Sequence, residues 1–253
     1  MDDILKLQNV CLTYQTKQGE TSALKDLSFT VKNTEFISII GPSGCGKTTI
    51  LSLIAGLMPV TSGKILYKGS EIKKVCENIG YMLQRDELFP WRTIEKNVYL
   101  PLEIKKIDTT QNRERTINLI EKYDLKDFLK SYPTELSGGM RQRVALIRTL
   151  ASSPDLLLLD EPFSALDFQT RLKVCNDVYK VIKNEGKTAI LVTHDISEAI
   201  SLSDRIIVLS KRPAKVYKEH EVLLDKSLSP LKRREEVGFA KLFDTLWREL
   251  NDE

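Results

Sequence analysis

Residues 36–48 read FISIIGPSGCGKT, a short apolar run that passes directly into a glycine-rich loop. The β-branched run predicts a strand buried on both faces, and apolar residues at helical spacing after the loop predict a helix. Between a strand and a helix, the pattern GxxxxGK[ST] binds the phosphates of a nucleoside triphosphate. The residues of this loop are Gly41, Pro42, Ser43, Gly44, Cys45, Gly46, Lys47 and Thr48.

The residue types in this loop suit phosphate chemistry. Glycines let the backbone curl so that successive N–H groups point inward, and the start of the following helix adds partial positive charge. We expect Lys47 to reach β- and γ-phosphate oxygens, Thr48 to ligate Mg²⁺ through its hydroxyl, and Thr49 to line the same site. By itself the loop indicates only that a nucleoside triphosphate binds.

A second buried strand is predicted at residues 156–159, LLLL, and it ends in two carboxylates, Asp160 and Glu161. Ligands of parallel sheets bind at the carboxyl ends of the strands. Asp160 is predicted to hold Mg²⁺ through water, and Glu161 to polarise a water in line with the γ-phosphate. An acidic helix cap after a strand is the alternative interpretation.

The composition excludes several classes of protein. The chain has 253 residues and a formal net charge of +3, which allows one large domain or one domain with an appendage and does not favour a protein that coats nucleic acid. The longest mostly apolar stretch, residues 50–60, is about half of the roughly 20 residues that span a bilayer, and we see no secretory signal. Four scattered cysteines predict neither a disulfide framework nor a zinc site and favour a reducing cytoplasm.

Strands alternate with helices along the chain. Strands are predicted in the first 40 residues, a mostly helical segment over residues 93–130, and further strands at residues 189–192 and 206–209. This alternation predicts an α/β fold with a largely parallel sheet and helices against it.

The C-terminal residues 211–253 form a tail of different composition. Ser229 and Pro230 predict an N-cap and a first helical residue. Apolar residues then fall on one helical stripe, which predicts an amphipathic helix packed on its own domain or, alternatively, a docking face for a partner. The stripe consists of Phe239, Leu242, Phe243, Leu246, Trp247 and Leu250.

Residues 136–143, LSGGMRQR, start a further predicted helix. The Ser137 hydroxyl and the N–H groups of Gly138 and Gly139 would form a second anion site at its N-terminus, although Ser137 also fits a plain N-cap. Between the phosphate loop and the acidic strand, this segment resembles the signature motif of ABC-type ATPases. Met140 replaces the glutamine most common there.

The resemblance assigns roles to further residues. Tyr14 would stack on adenine, although it also fits an exposed strand tyrosine. Gln84 would touch Mg²⁺ and relay the nucleotide state to a membrane partner, Asp167 would lie in the loop that crosses the subunit interface, and His194 would contact the γ-phosphate. The catalytic set implied is Glu161, His194, Lys47 and Gln84. His220 matches nothing and is expected on the surface.

The resemblance covers residues 1 to about 210 and implies the fold of an ABC ATPase. That fold is an α/β P-loop NTPase with a mainly parallel core sheet, an N-terminal antiparallel β subdomain and a helical signature subdomain at approximately residues 85–150. Residues 1–210 would be the ATP-binding domain and residues 211–253 the tail. Asn33 and Thr34 stand where the family usually has a glycine, and we expect asparagine to tolerate the same turn.

The family pattern implies an ATPase that works as a pair. In it, the signature serine of one subunit completes the nucleotide site of the other, so the ATP-bound state is a homodimer around two Mg-ATP. The resemblance further implies a separate membrane permease, a separate solute-binding protein and no nucleic acid, with the chain peripheral on the cytoplasmic side of a prokaryotic membrane. A soluble ABC ATPase of DNA repair or translation is the alternative, but a single cassette without a predicted coiled coil favours the transporter.

Residues 88–93, LFPWRT, put two aromatic side chains beside a proline. One interpretation is a groove wall near Phe89, Pro90 and Trp91 that receives a short helix of the permease. The alternative is a proline turn held by its own aromatic residues. Together with Arg212 and Pro213, this segment resembles ATPases of nitrate, sulfonate and taurine importers, so the solute is expected to be one of these or a related small molecule.

Overall fold

The computed structural model describes residues 3–16 and 19–252. The chain divides into two compact units. The phosphate-loop unit comprises Met1–Cys76 and Gly186–Glu253, and the signature unit comprises Glu77–Glu185. The tail groups with the phosphate-loop unit, and the predicted domain boundary at residue 210 stays a prediction.

Strands and helices alternate through the described residues. The strands are β1 (Asp3–Thr16), β2 (Gly19–Lys32), β3 (Phe36–Ile40), β4 (Ser62–Tyr67), β5 (Ser70–Glu71), β6 (Ile79–Met82), β7 (Leu156–Asp160), β8 (Thr188–Val192), β9 (Arg205–Leu209) and β10 (Val216–Glu221). The helices are α1 (Lys47–Ile54), α2 (Ile94–Ile104), α3 (Thr110–Lys122), α4 (Gly138–Ala151), α5 (Phe168–Asn184), α6 (Ile196–Leu202), α7 (Pro230–Arg233) and α8 (Val237–Asp252).

An antiparallel sheet with the strand order β2-β1-β4-β5 opens the phosphate-loop unit. Leu5 pairs with Val31 and Leu7 with Phe29, and all four side chains are buried while the intervening Lys6 is exposed. Because successive side chains point to opposite faces of a strand, this alternation gives the sheet one face toward the core. The predicted N-terminal antiparallel β subdomain is confirmed.

Parallel strands form the centre of each unit. In the phosphate-loop unit, β3 lies between the parallel strands β8 and β9, and β10 runs antiparallel beside β9. In the signature unit, β6 and β7 are parallel. Every residue of β3, β7 and β8 is buried, as a parallel strand covered on both faces requires. This confirms the α/β class and the mainly parallel core sheet.

Helices α2, α3 and α4 belong to the signature unit, and the first two fill the segment predicted to be helical. Threonine side chains cap both, since Thr93 accepts the Lys96 N–H and Thr109 accepts the Asn112 N–H. Between them, Lys106 has φ 55, so the segment turns there instead of continuing as one helix. No helix of the described ranges has the length and apolar character needed to cross a membrane.

The apolar stripe of the tail faces its own unit. Leu246 is fully buried and belongs to a cluster that includes Ile196 and Val208. The predicted packing on the chain's own domain therefore describes most of the stripe, but Trp247 is 57% exposed. The stripe residues that pack partly buried against this cluster are Phe239, Leu242, Phe243 and Leu250.

The tail contains two helices where the sequence pattern predicts one. Ser229 caps the one-turn helix α7, as predicted, but α8 starts only at Val237. The separation follows from Arg233, which is 1% exposed and donates through Nη1 to the Ser201 carbonyl and through Nε to the Asp225 carbonyl. These bonds fix the first turn against α6 and the loop at Asp225 before the second helix begins.

Two local expectations are wrong. His220 is not a surface residue, because its side chain is only 20% exposed and its Nε2 lies 2.8 Å from Glu249 Oε2 on α8. The turn at residues 33–34 places Thr34, and not Asn33, in the left-handed region, with φ 62. The Thr34 N–H donates to Thr188 Oγ1 at 2.9 Å, so a tertiary hydrogen bond helps to hold the turn.

Candidate nucleotide site

The glycine-rich loop connects β3 to α1, as the motif requires. Gly44 and Gly46 have φ 73 and 121, conformations that side-chain-bearing residues rarely adopt. A Cβ at Gly41 would lie 3.0 Å from the Leu209 Cβ. The Ile50 N–H donates to the Gly46 carbonyl at 3.0 Å and begins the helix. The glycines are therefore needed for the path of the backbone as well as for access to a phosphate.

Lys47 lies at the first position of α1 and is 8% exposed. Its Nζ donates to the Gly41 and Pro42 carbonyls at 2.9 and 3.0 Å, which holds the ammonium over the loop. Burial raises the pKa of the Cys45 thiol, and the Lys47 charge offsets this only in part. The thiol therefore stays neutral at pH 7, and the loop has a net positive character that suits a phosphate.

The phosphate-loop unit brings two further predicted residues to defined places. The Tyr14 hydroxyl lies 3.0 Å from Thr49 Oγ1, so the ring is tied to the helix that follows the loop. His194 comes directly after β8, whose Val192 is in register with Ile39 of β3. The loop and His194 therefore leave the same edge of the sheet. His194 is exposed at this edge.

The signature unit holds the two carboxylates at the end of β7. Asp160 is 5% exposed, and the Tyr81 hydroxyl donates to its Oδ2 at 3.3 Å. Glu161 has φ 43, and its carbonyl accepts hydrogen bonds from the Ser164 N–H at 3.2 Å and the Ser164 hydroxyl at 3.0 Å. A left-handed glutamate at a strand end is a strained conformation of the kind found at active sites.

Gln84 lies at the same edge as these carboxylates. Parallel pairing places Met82 of β6 in register with Leu159 of β7, and Gln84 Nε2 donates to Ser164 Oγ at 3.4 Å. Ser164 therefore links Gln84 to the turn that carries Glu161. Sequence analysis missed Tyr81, because Gly80 interrupts the apolar pattern of the short strand β6.

Asp167 is the N-cap of α5, where its Oδ1 accepts the Thr170 N–H at 3.0 Å. Hydrogen bonds from Thr170 lower the pKa of the Asp167 carboxyl, so it is ionised at neutral pH. Asp167 therefore stabilises the start of α5 within its own chain.

The signature segment starts α4. Ser137 is exposed and caps the helix by accepting the Met140 N–H at 3.3 Å, so the N-cap interpretation holds. A Cβ at Gly139 would lie 2.8 Å from Thr170 Cγ2, so the helix can approach α5 this closely only because residue 139 is glycine. The serine hydroxyl and the first-turn amides of α4 form an open helix N-terminus, which attracts anions.

The aromatic residues after the glutamine form a stacked pair. The ring centroids of Phe89 and Trp91 are 4.9 Å apart at 13°, which agrees with a turn held by its own aromatic residues. Pro90 is exposed and Trp91 is 71% exposed. We define Phe89, Pro90 and Trp91 as the aromatic surface.

Known proteins resemble this chain over most of its length. The family model described as ABC transporter matches residues 24–164. An ABC transporter ATP-binding protein of Bacillus subtilis (strain 168) is 48% identical over 98% of this chain and 95% of its own length. A taurine import ATP-binding protein of Pelagibacter ubique is 42% identical over 88% of this chain and 84% of its own. An aliphatic sulfonates import ATP-binding protein of Bacillus licheniformis is 47% identical over 79% and 77%.

A solved structure shows the same fold. A dimeric ATP-binding cassette bound to ADP and Pi aligns with a TM-score of 0.73 and 33% identity, covering 86% of this chain and 98% of that one. The family model alone spans more than half of the chain. The resemblance indicated by the signature motif is therefore confirmed, and the chain belongs to the ABC transporter family of ATP-binding proteins.

Proposed function

We propose that this chain is the ATP-hydrolysing subunit of a membrane importer and that two copies bind two Mg-ATP between them. The observation that carries the proposal is a difference between its two anion-binding segments. In the phosphate loop, the Lys47 ammonium is hydrogen-bonded to carbonyls of the loop itself. At the capped start of α4, by contrast, Ser137 is exposed. An exposed, anion-attracting helix end is suited to a phosphate held by a second copy.

In this proposal, the phosphate-loop unit binds the nucleotide. Backbone N–H groups of the loop and the Lys47 ammonium hold the β- and γ-phosphates. Tyr14, positioned by Thr49, stacks on the adenine. His194 contacts the γ-phosphate from the neighbouring strand end. Ser137, Gly138 and Gly139 of the partner copy contact the opposite side of the same phosphate, and Asp167 lies at the interface between copies.

The donor atoms available suit Mg²⁺. This ion prefers oxygen ligands and retains several waters, and the candidates are the hydroxyl of Thr48, the carboxylate of Asp160 and the amide oxygen of Gln84. The hydrogen bond from Tyr81 keeps the buried Asp160 carboxylate oriented. A bound Mg²⁺ would neutralise phosphate charge during the reaction.

Glu161 is proposed as the base. Its carboxylate accepts a proton from a water that attacks the γ-phosphorus, while the bond from that phosphorus to the oxygen bridging to ADP breaks. The products are ADP and inorganic phosphate. The turn bonded to Ser164 fixes the backbone of Glu161, so the position of the carboxylate depends on side-chain rotation rather than on a mobile loop.

The decisive experiment is the Glu161→Gln variant. It should bind ATP with unchanged affinity, hydrolyse it about 10²- to 10⁴-fold more slowly, and accumulate an ATP-dependent dimer in size-exclusion chromatography. The isosteric amide removes the base but keeps the packing. Hydrolysis at the wild-type rate would show that Glu161 is not the base.

We infer that the solute is taurine, another sulfonate, nitrate or a related small molecule. Support comes from the relatives, whose names describe import of taurine and of aliphatic sulfonates. These names do not favour DNA repair or translation. In this proposal a separate permease docks at the aromatic surface and a separate solute-binding protein delivers the solute. The chain itself lies on the cytoplasmic side of the membrane.

A further inference from the structure

A polar network fastens the loop before the aromatic surface to helix α4. The Arg148 guanidinium donates through Nη2 to the Asp86 carbonyl and through Nη1 to the Glu87 carbonyl, both at 2.6 Å. Arg141 Nε donates to Asp86 Oδ2 at 3.0 Å. We call these four residues the arginine clamp. Both arginines lie on the helix whose first turn carries the signature.

Open space separates part of the loop from the helix beside the clamp. A cavity of about 370 Å³ is lined by Asp86 and Glu87 of the loop and by Gly138 and Gln142 of α4. Burial lowers the pKa of Arg148, but a guanidinium stays charged at neutral pH. Its two bonds to carbonyl oxygens are therefore charge-assisted and stronger than neutral ones.

The clamped loop continues directly into the aromatic surface. Asp86 Oδ1 accepts the Leu88 N–H at 3.1 Å. Asn97, which is fully buried, accepts the Phe89 N–H at 2.8 Å and donates to the Phe89 carbonyl at 3.1 Å. Glu87 has φ 46, a strained conformation that persists only where its surroundings fix it. Loop and surface are therefore one ordered turn.

We propose that Arg141 and Arg148 are positioning residues that couple two sites. When a nucleotide contacts the signature end of α4, they pass the resulting movement of the helix to the aromatic surface. The inference rests on the proposed function, in which a nucleotide held by a second copy contacts the first turn of α4. Because the clamp grips Asp86 and Glu87 at three points, a shift of the helix moves the loop and Trp91 with it. A permease bound at the aromatic surface would sense the nucleotide through the same bonds.

Amide hydrogen exchange tests this inference without the permease. In the Glu161→Gln background, Mg-ATP should slow exchange severalfold at Leu88 and Phe89 as well as at the signature segment. Adding Arg148→Met should leave the ATP-dependent dimer and the protection of the signature segment intact but abolish the slowing at Leu88 and Phe89. Arg113→Met, which removes an ion pair to Asp108 in the same unit, is the matched control. In this variant the slowing at Leu88 and Phe89 should persist.

Undiminished slowing at Leu88 and Phe89 in the Arg148→Met variant would overturn the inference. Should that variant not fold, as judged by circular dichroism, the partly exposed Arg141→Gln variant takes its place and the same two outcomes apply. Failure of the Glu161→Gln parent to dimerise with ATP would instead refute the proposed function, and the inference would fall with it. Size-exclusion chromatography separates this case from the others.

Discussion

Two side chains from each compact unit differ in their burial and bonding. In the phosphate-loop unit, Lys47 is buried and bonded to carbonyls of its own loop, and the tail is anchored by the buried Glu249. In the signature unit, Ser137 is exposed at the start of α4 and Trp91 is 71% exposed at the end of a rigid turn. Lys47 and Glu249 are thus bonded inside their own chain, whereas Ser137 and Trp91 face solvent.

The burial and bonding of a side chain indicate whether it acts within one chain or between chains. A buried, internally bonded group acts within one chain, so its replacement should change nucleotide binding or folding of the isolated subunit. An exposed group on a rigid support can contact a partner, so its replacement should change properties that require assembly. The following variants test that division.

Lys47→Ala should have the largest effect, because it removes a positive charge from a partly desolvated phosphate site. ATP hydrolysis should fall by about 100-fold or more, and ATP binding by the isolated chain should weaken, as measured by calorimetry. Lys64→Ala, at an exposed position on β4, is the control and should change neither. Hydrolysis at the wild-type rate in Lys47→Ala would show that the phosphate loop is not part of the active site.

Trp91→Ala should weaken binding of the permease by about 30-fold, since an exposed aromatic anchor typically contributes 2 kcal/mol or more to an interface. Basal ATP hydrolysis should not change. Co-purification from native membranes, with the permease identified by mass spectrometry, measures the effect. Trp247→Ala removes the other exposed tryptophan, and equal losses for both variants would contradict a docking role specific to Trp91.

Ser137→Ala should reduce ATP hydrolysis by about tenfold, the equivalent of one hydrogen bond to a charged phosphate. It should also destabilise the unit by about 1 kcal/mol, because α4 loses its cap. Thr109→Ala removes the corresponding cap of α3 and should cost similar stability without loss of hydrolysis. Equal hydrolysis in the two variants would mean that Ser137 acts only as a cap.

Glu249→Gln should have the smallest effect, a loss of about 1 kcal/mol in the free energy of unfolding. Burial raises the pKa of Glu249, but hydrogen bonds from Lys218 and His220 outweigh it and the net shift is downward. A lowered pKa means stability that is present above the ordinary value of 4.5 and lost as pH falls below it. Denaturant unfolding should therefore separate wild type and variant at pH 7 and less so in acid, whereas Glu221→Gln should match wild type throughout.

The sequence predicts the buried strands and the caps well. The runs FISII and LLLL are uninterrupted apolar segments, and β3 and β7 are fully buried as expected. By contrast, β10 is a polar edge strand, VYKEHE, and β6 contains Gly80, whose Cβ would lie 2.7 Å from Thr149 Cγ2. Neither shows the alternation that identifies a strand. Both segments are strands because each pairs with a neighbouring strand, and the local sequence pattern does not reveal that pairing.

The sequence by itself identified the phosphate loop, the carboxylates after β7 and the signature segment, because each motif consists of residues close together along the chain. Only the tertiary structure decided that His220 is paired with Glu249, that Trp247 faces outward, and that Arg148 holds Asp86, 62 residues away in sequence. Such contacts depend on how helices and strands pack. Local residue patterns do not encode the distance between groups that lie far apart in the chain.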